Sequence, residues 1–116
     1  MLNLQTDDEM RSLNLAWEML LAHYKACHID LRRVPVRHFH AMKLCSRLPE
    51  CARTWDELLA AADLVYLHCT VGTGRSPTVA IAHLYRCRVW KLDEASAYVT
   101  GRRQCSPNLE AILAAN

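Results

Sequence analysis

One short stretch constrains this chain more than any other: the apolar run Leu64-Val65-Tyr66-Leu67 passes without a break into His68-Cys69-Thr70-Val71-Gly72-Thr73-Gly74-Arg75-Ser76-Pro77, and then into the apolar helical pattern TVAIAHLYRC. A run of that length after a helix fits a buried parallel strand, and the pattern after Pro77 fits a buried helix. The chain must therefore turn from strand to helix over Cys69 to Gly74. Two of its three glycines, Gly72 and Gly74, lie in that turn, where positive φ and close backbone approach cost a glycine little.

A loop of that shape has a chemical use. A phosphate dianion is held by backbone amides when the chain curls so that successive N–H groups point inward and the curl ends at a helix N-terminus. The backbone of Thr70, Val71, Gly72, Thr73 and Gly74 would form such a cradle, and the positive end of the helix opening at about Arg75 adds to it. The same surroundings favour a thiolate on Cys69 and make it a nucleophile at neutral pH. Arg75 offers a planar fork to two phosphoryl oxygens, and Ser76 can donate a hydrogen bond to the sulfur when it leaves. His68 reads as a residue that shapes the loop, not as a general base. Spacing alone is weak, because Cys27 to Arg33 repeats Cys-x5-Arg. That stretch has no glycine and no helix starting at its arginine, so it cannot wrap a phosphate.

Around the loop, helices and strands alternate, which predicts an α/β domain with a mainly parallel sheet. Thr6-Asp7-Asp8-Glu9 fits a capping box, and Met10, Leu13, Trp17, Leu20, Leu21 and Tyr24 then lie on one helical face. Ile29 to Val36 reads as an edge strand. A helix is expected from about Leu48, with Pro49 and Glu50 in its first turn. Two more are expected over Leu92 to Arg103 and Pro107 to Ala115, the last capped by Ser106. At 116 residues, with 52% apolar and 22% charged positions, residues 1–116 are expected to form a single domain.

Composition excludes several function classes. A formal charge of +2, from 14 bases and 12 acids, is too balanced to make nucleic acid or an anionic membrane the main partner, although a local patch can still be basic; Arg32, Arg33 and Arg37 read as a solvated cluster. The opening MLNLQTDDEM lacks the layout of a signal peptide, and no run reaches the roughly 18 apolar residues of a membrane span. The six cysteines are read as free thiols of a soluble, intracellular protein. No CxxC occurs. His23 with Cys27 and His83 with Cys87 are spaced to share a helix face, but nothing in the sequence ties the pairs together, so neither a metal nor any other cofactor is expected.

The segment His68-Cys69-Thr70-Val71-Gly72-Thr73-Gly74-Arg75-Ser76 resembles the dual-specificity branch of the protein tyrosine phosphatases, whose signature is HC-x-x-G-x-x-R-[ST]. Within that branch it is similar to the glucan phosphatases, the starch-excess type together with laforin. The similarity rests on Gly74 before the arginine, the opening Leu2-Asn3-Leu4-Gln5-Thr6-Asp7 and the ending Cys105-Ser106-Pro107-Asn108-Leu109-Glu110-Ala111-Ile112. The resemblance implies a three-layer α/β/α cysteine-phosphatase fold and a thiophosphate intermediate, with phosphorylated glucan or a phosphoprotein as substrate. A plastid location would suit the starch-linked resemblance, and otherwise the cytoplasm.

Two departures from the family stand out. Its aromatic glucan contact falls at Phe39, but the aspartate that protonates the leaving alkoxide is replaced in Arg37-His38-Phe39-His40, and no carboxylate lies between Leu31 and Pro49. Loss of a general acid costs about 10²–10⁴-fold. An imidazolium beside a bound phosphate can donate a proton, which makes His38 the candidate acid. The family also places about 20 or more residues ahead of the first strand seen here, so the expectation is either a sheet narrowed by one or two strands or a fragment of a longer chain.

Overall fold

The computed structural model describes residues 1–37, 41–62 and 64–115, apart from the side chains of residues 41 and 43. His38 and Phe39 lie outside the described residues. Along the chain the elements are β1 (Leu2–Asn3), α1 (Asp7–Ser12), α2 (Trp17–Ala26), β2 (Arg32–Arg33), α3 (Ala41–Ala61), β3 (Leu67–His68), α4 (Arg75–Arg86), α5 (Leu92–Arg102) and α6 (Leu109–Ala114). The three strands form one sheet in the order β2-β1-β3, parallel throughout, with Leu2 paired to Arg32 and Leu67 and Asn3 to Arg33 and His68. The α/β fold with a parallel sheet is thus as the sequence predicts.

The central strand is the one that sequence reading passes over. Leu2 and Leu4 are fully buried, and so nearly are Asn3 and Gln5 on the opposite side of the pleat, as in a strand covered on both faces. Asn3 tolerates this because its Oδ1 accepts from the Gln5 amide at 2.7 Å. Two polar residues in a run of four hide the signal that an unbroken apolar run would give.

The first predicted helix is two helices. After Leu13, Asn14 takes φ 54°; its amide donates to the Arg11 carbonyl and the Leu15 amide to Met10. These bonds form a Schellman stop with asparagine in the left-handed position. The second helix ends the same way at His28, φ 58°, with His28 donating to Lys25 and Ile29 to Tyr24. The apolar spacing runs on across the first stop, which is why periodicity alone joins the two.

Helix α3 starts well before Leu48, and Pro49 lies inside it, where it removes one amide from the helical ladder. Its buried Leu44, Leu48, Cys51, Ala52 and Leu58 form one stripe that packs with Val79, Ile81 and Ala82 of α4 and Ile112 of α6. The last helix is capped by Asn108, whose Oδ1 accepts from the Ala111 amide at 3.0 Å, and not by Ser106. The run before the loop is also not the buried strand expected. The strand proper is Leu67–His68, with the Tyr66 carbonyl accepting from the Leu2 amide at 2.8 Å, and Leu64 is 91% and Tyr66 64% exposed, which a strand covered on both faces would not show.

Candidate active site

The loop between β3 and α4 brings Cys69, Arg75 and Ser76 to one place, all three buried. Gly72 takes φ +84°, which turns its amide back to donate to Cys69 Sγ at 3.2 Å. Gly74 does not use a glycine's freedom in this way. It is the N-cap of α4 at φ −116°, and a Cβ there would meet nothing within 4 Å. The loop is tied down outside the curl, where Thr73 accepts from the Ser106 amide at 2.7 Å and Thr78 Oγ1 donates to the Gly74 carbonyl at 2.7 Å.

Burial opposes ionisation of Cys69, yet the balance is a lowered thiol pKa, because the Ser76 hydroxyl and amide, the Gly72 amide and the Arg75 charge all favour the anion. The Ser76 oxygen has no hydrogen bond of ordinary geometry among the described residues, which leaves it to face the sulfur. His68 is half-buried, stacks on the Tyr66 ring with centroids 5.2 Å apart, and has its pKa lowered chiefly by burial, against a hydrogen bond to the Cys69 backbone. The lowered pKa favours the neutral imidazole.

Arg75 has a partner that sequence reading assigns elsewhere. Its Nη1 donates to Glu9 Oε1 at 2.6 Å and to the Val36 carbonyl at 2.7 Å, and its Nη2 to Glu9 Oε2 at 2.7 Å. Glu9 also accepts from Thr70 Oγ1 at 2.5 Å, and Gln5 Nε2 donates to the same hydroxyl at 3.1 Å. Burial would raise the Glu9 pKa, but the hydrogen bonds from Arg75, Thr70 and Thr6 outweigh it and hold the carboxyl down at about 2. The capping box is real, since the Thr6 hydroxyl accepts from the Glu9 amide and the Glu9 carboxylate from the Thr6 amide. That pattern is the legible half of Glu9. Its reach to Arg75, 66 residues away, is visible only once β1 lies beside β3.

Arg75 Nε remains buried with no partner among the described residues. Cys69 lines a cleft of about 290 Å³ together with Thr70, Val71, Gly72, Ser76 and Arg103, while Arg75 is not part of its wall. Arg103 is a second residue that sequence reading missed: its Nη2 lies 2.6 Å from where a Cβ on Gly72 would stand. Thr73 and Gly74 belong to the loop but not to that wall. In the false repeat Cys27 is exposed at the end of α2, while Arg33 donates to the Gln5 carbonyl at 2.8 Å, pairs with Asp7 at 2.9 Å and lies over Trp17.

Comparison with known proteins agrees with the geometry. The family described as "Dual specificity phosphatase, catalytic domain" matches residues 2–113. The amyloplastic phosphoglucan phosphatase DSP4 of Castanea sativa is 34% identical over 84 residues, 72% of this chain and 22% of that protein. Dual specificity protein phosphatase 1 of Homo sapiens is 35% identical over 82 residues, 70% of this chain and 22% of its own length. The chain thus spans about a fifth of the curated relatives it matches. Among solved structures, Tk-PTP in its active form superposes with a TM-score of 0.76 at 25% identity, covering 98% of this chain and 72% of that one. With the family match running from the central strand to the last helix, the chain belongs to the dual-specificity phosphatases.

Proposed function

We propose that the chain hydrolyses phosphate monoesters through Cys69. The thiolate attacks phosphorus, the ester P–O bond breaks, and the alkoxide leaves with a proton from an acid; water then cleaves the S–P bond, with Ser76 easing the return of the thiolate. The observation that carries this reading is the sulfur itself, buried, receiving an amide at 3.2 Å and with its pKa lowered. The loop amides from Thr70 to Gly74 and the Arg75 guanidinium hold the phosphoryl oxygens, and the chemistry needs no metal.

The substrate class proposed is a phosphorylated glucan, supported by the 34% identity to a phosphoglucan phosphatase, with Phe39 as its aromatic contact and His38 as the acid. Glu9, the carboxylate of the site, cannot take the acid's part, because at about 2 its pKa leaves it ionised at neutral pH. Phosphate release from an aryl phosphate, a phosphopeptide and a phosphoglucan, measured side by side, tests the reading. Cys69→Ser should abolish all three. His38→Ala should slow the glucan and a phosphoserine or phosphothreonine peptide, whose alkoxides need a proton, and spare the aryl ester, whose leaving group needs little help. Equal rates for His38→Ala and the parent on phosphoglucan would remove His38 from the mechanism.

A second reading, a phosphate-binding scaffold with impaired turnover, draws on the Arg75 fork being given to Glu9 at both Nη atoms and on the missing aspartate. Aryl phosphate hydrolysis without phosphoglucan hydrolysis would favour it, and recovery of glucan activity in His38→Asp would identify the lost acid as the defect. Preference for the phosphopeptide would instead favour a protein phosphatase, the class of the 35% identical human relative.

A further inference from the structure

Away from the loop, three side chains that ligate metals meet between α3 and α4. His83 and Cys87 are four apart at the end of α4 and so share a face, and Asp56 reaches them from α3. His83 is 4% exposed and its Nε2 lies 2.8 Å from Asp56 Oδ1. The Cys87 thiol turns toward α3, its sulfur 3.9 Å from the Ala52 carbonyl oxygen. One ligand atom from each residue lies within 4.8 Å of the other two. From this convergence we propose that Asp56, His83 and Cys87 bind a zinc ion, with water in the fourth position.

The geometry suits a tetrahedral ion. Zinc bonds of about 2.0–2.3 Å put neighbouring ligand atoms roughly 3.3–3.7 Å apart, a spacing between the observed 2.8 Å and the 4.8 Å limit. The adjustment falls on the ligands with room to move: the Asp56 side chain is 43% exposed and Cys87 is exposed, while His83 is buried. A sulfur, a ring nitrogen and one carboxylate oxygen select zinc over magnesium or calcium, which take oxygen shells. Binding transfers the Cys87 thiol proton to water, and the carboxylate and thiolate then balance the ion's charge. The Arg88 guanidinium, 3.8 Å from Asp56 and 55% exposed, is the competing cation and has open solvent to turn into. Twelve residues of helical rise, roughly 18 Å, separate Cys87 from Arg75, so the ion clamps α3 to α4 without touching the loop.

Cobalt(II) titration of the Cys69→Ser chain tests the site, that background removing the reactive thiolate as a rival ligand. The expected result is one ion per chain, a thiolate-to-cobalt charge-transfer band with the strong visible absorption of a tetrahedral site, displacement by zinc, and a higher Tm with zinc than without. Adding Cys87→Ala should erase the charge-transfer band, with far-UV circular dichroism checking that the fold is kept. Adding Asp56→Asn should weaken binding by no less than the roughly 10–100-fold that loss of even an outer-shell partner costs. A band that survives Cys87→Ala, an affinity unmoved by Asp56→Asn, or no saturable binding of either metal would overturn the proposal.

Discussion

Gly72 and Gly74 stand two residues apart in one loop and carry different constraints. At φ +84° an alanine at 72 takes on roughly 1–2 kcal/mol of left-handed strain and sets its Cβ 2.6 Å from Arg103 Nη2. The arginine end can swing aside; the backbone cannot. Gly72→Ala should therefore draw the amide away from Cys69 and lower kcat on an aryl phosphate at least about tenfold, where full loss of one such donor costs on the order of 10²–10³. Gly74→Ala meets no atom and should cost stability only as an N-cap change, about 1 kcal/mol or less. Steady-state rates and urea midpoints of the two variants check the contrast. Glu9 supports a second prediction. Its folded pKa, about 2, lies below its ordinary 4.5, so its contribution is complete above the ordinary value and is lost as pH falls through about 2. With 18% of the side chain exposed, that contribution is on the order of 2–3 kcal/mol. Glu9→Gln should be less stable at pH 7 by about that amount, seen as a lower urea midpoint, and its stability should fall less than the parent's between pH 4.5 and pH 2. The sequence displayed the loop and the need for glycine at 72, because the bond from the Gly72 amide to Cys69 spans only three residues. It hid Glu9 and Arg103, whose roles are fixed by contacts across the fold.

Among the elements, what could be read from sequence tracks the length of the local pattern. Helix α4 was legible almost to the residue, since its apolar pattern matches a face that is buried along most of its length, and α5 ends within one residue of its expected bounds. The split between α1 and α2 was not, because it depends on one asparagine adopting φ 54° inside an apolar repeat that continues past it. The same argument yields a prediction after α4. Val89 takes φ 58° with its side chain 85% exposed, so a β-branched residue bears left-handed strain with no packing in return. Val89→Gly relieves about 1–2 kcal/mol of strain against the 0.4–1 kcal/mol that a freer unfolded chain costs. A net gain of about 0.5–1 kcal/mol is expected, read as a rise in the urea midpoint. Val89→Ala keeps a Cβ and should gain less, which separates relief of strain from removal of an exposed apolar group.

At the scale of the whole molecule, the strand that feeds the nucleophile is an edge of the sheet. Leu64, 91% exposed, and Tyr66, 64% exposed, stand beside it, and Trp55 and Val99 line the cleft next to it. Sequence reading makes Leu64 to Leu67 a buried parallel strand because an unbroken apolar run is what a strand covered on both faces needs; the run carries no information on its place in the strand order. An unpaired edge with large apolar side chains is a template for another chain. This chain should therefore associate with rising concentration, as a concentration-dependent sedimentation coefficient at pH 7.5 and modest salt. Leu64→Lys should suppress that association, a charge on an edge being a common natural defence, and should leave the aryl phosphatase rate within about twofold, since a substitution at so exposed a position usually stays within about 0.5 kcal/mol. Association that persists unchanged in Leu64→Lys would move the contact to a different face. A fall in activity alongside the fall in association would mean that a pairing at β3 steadies the loop that holds Cys69.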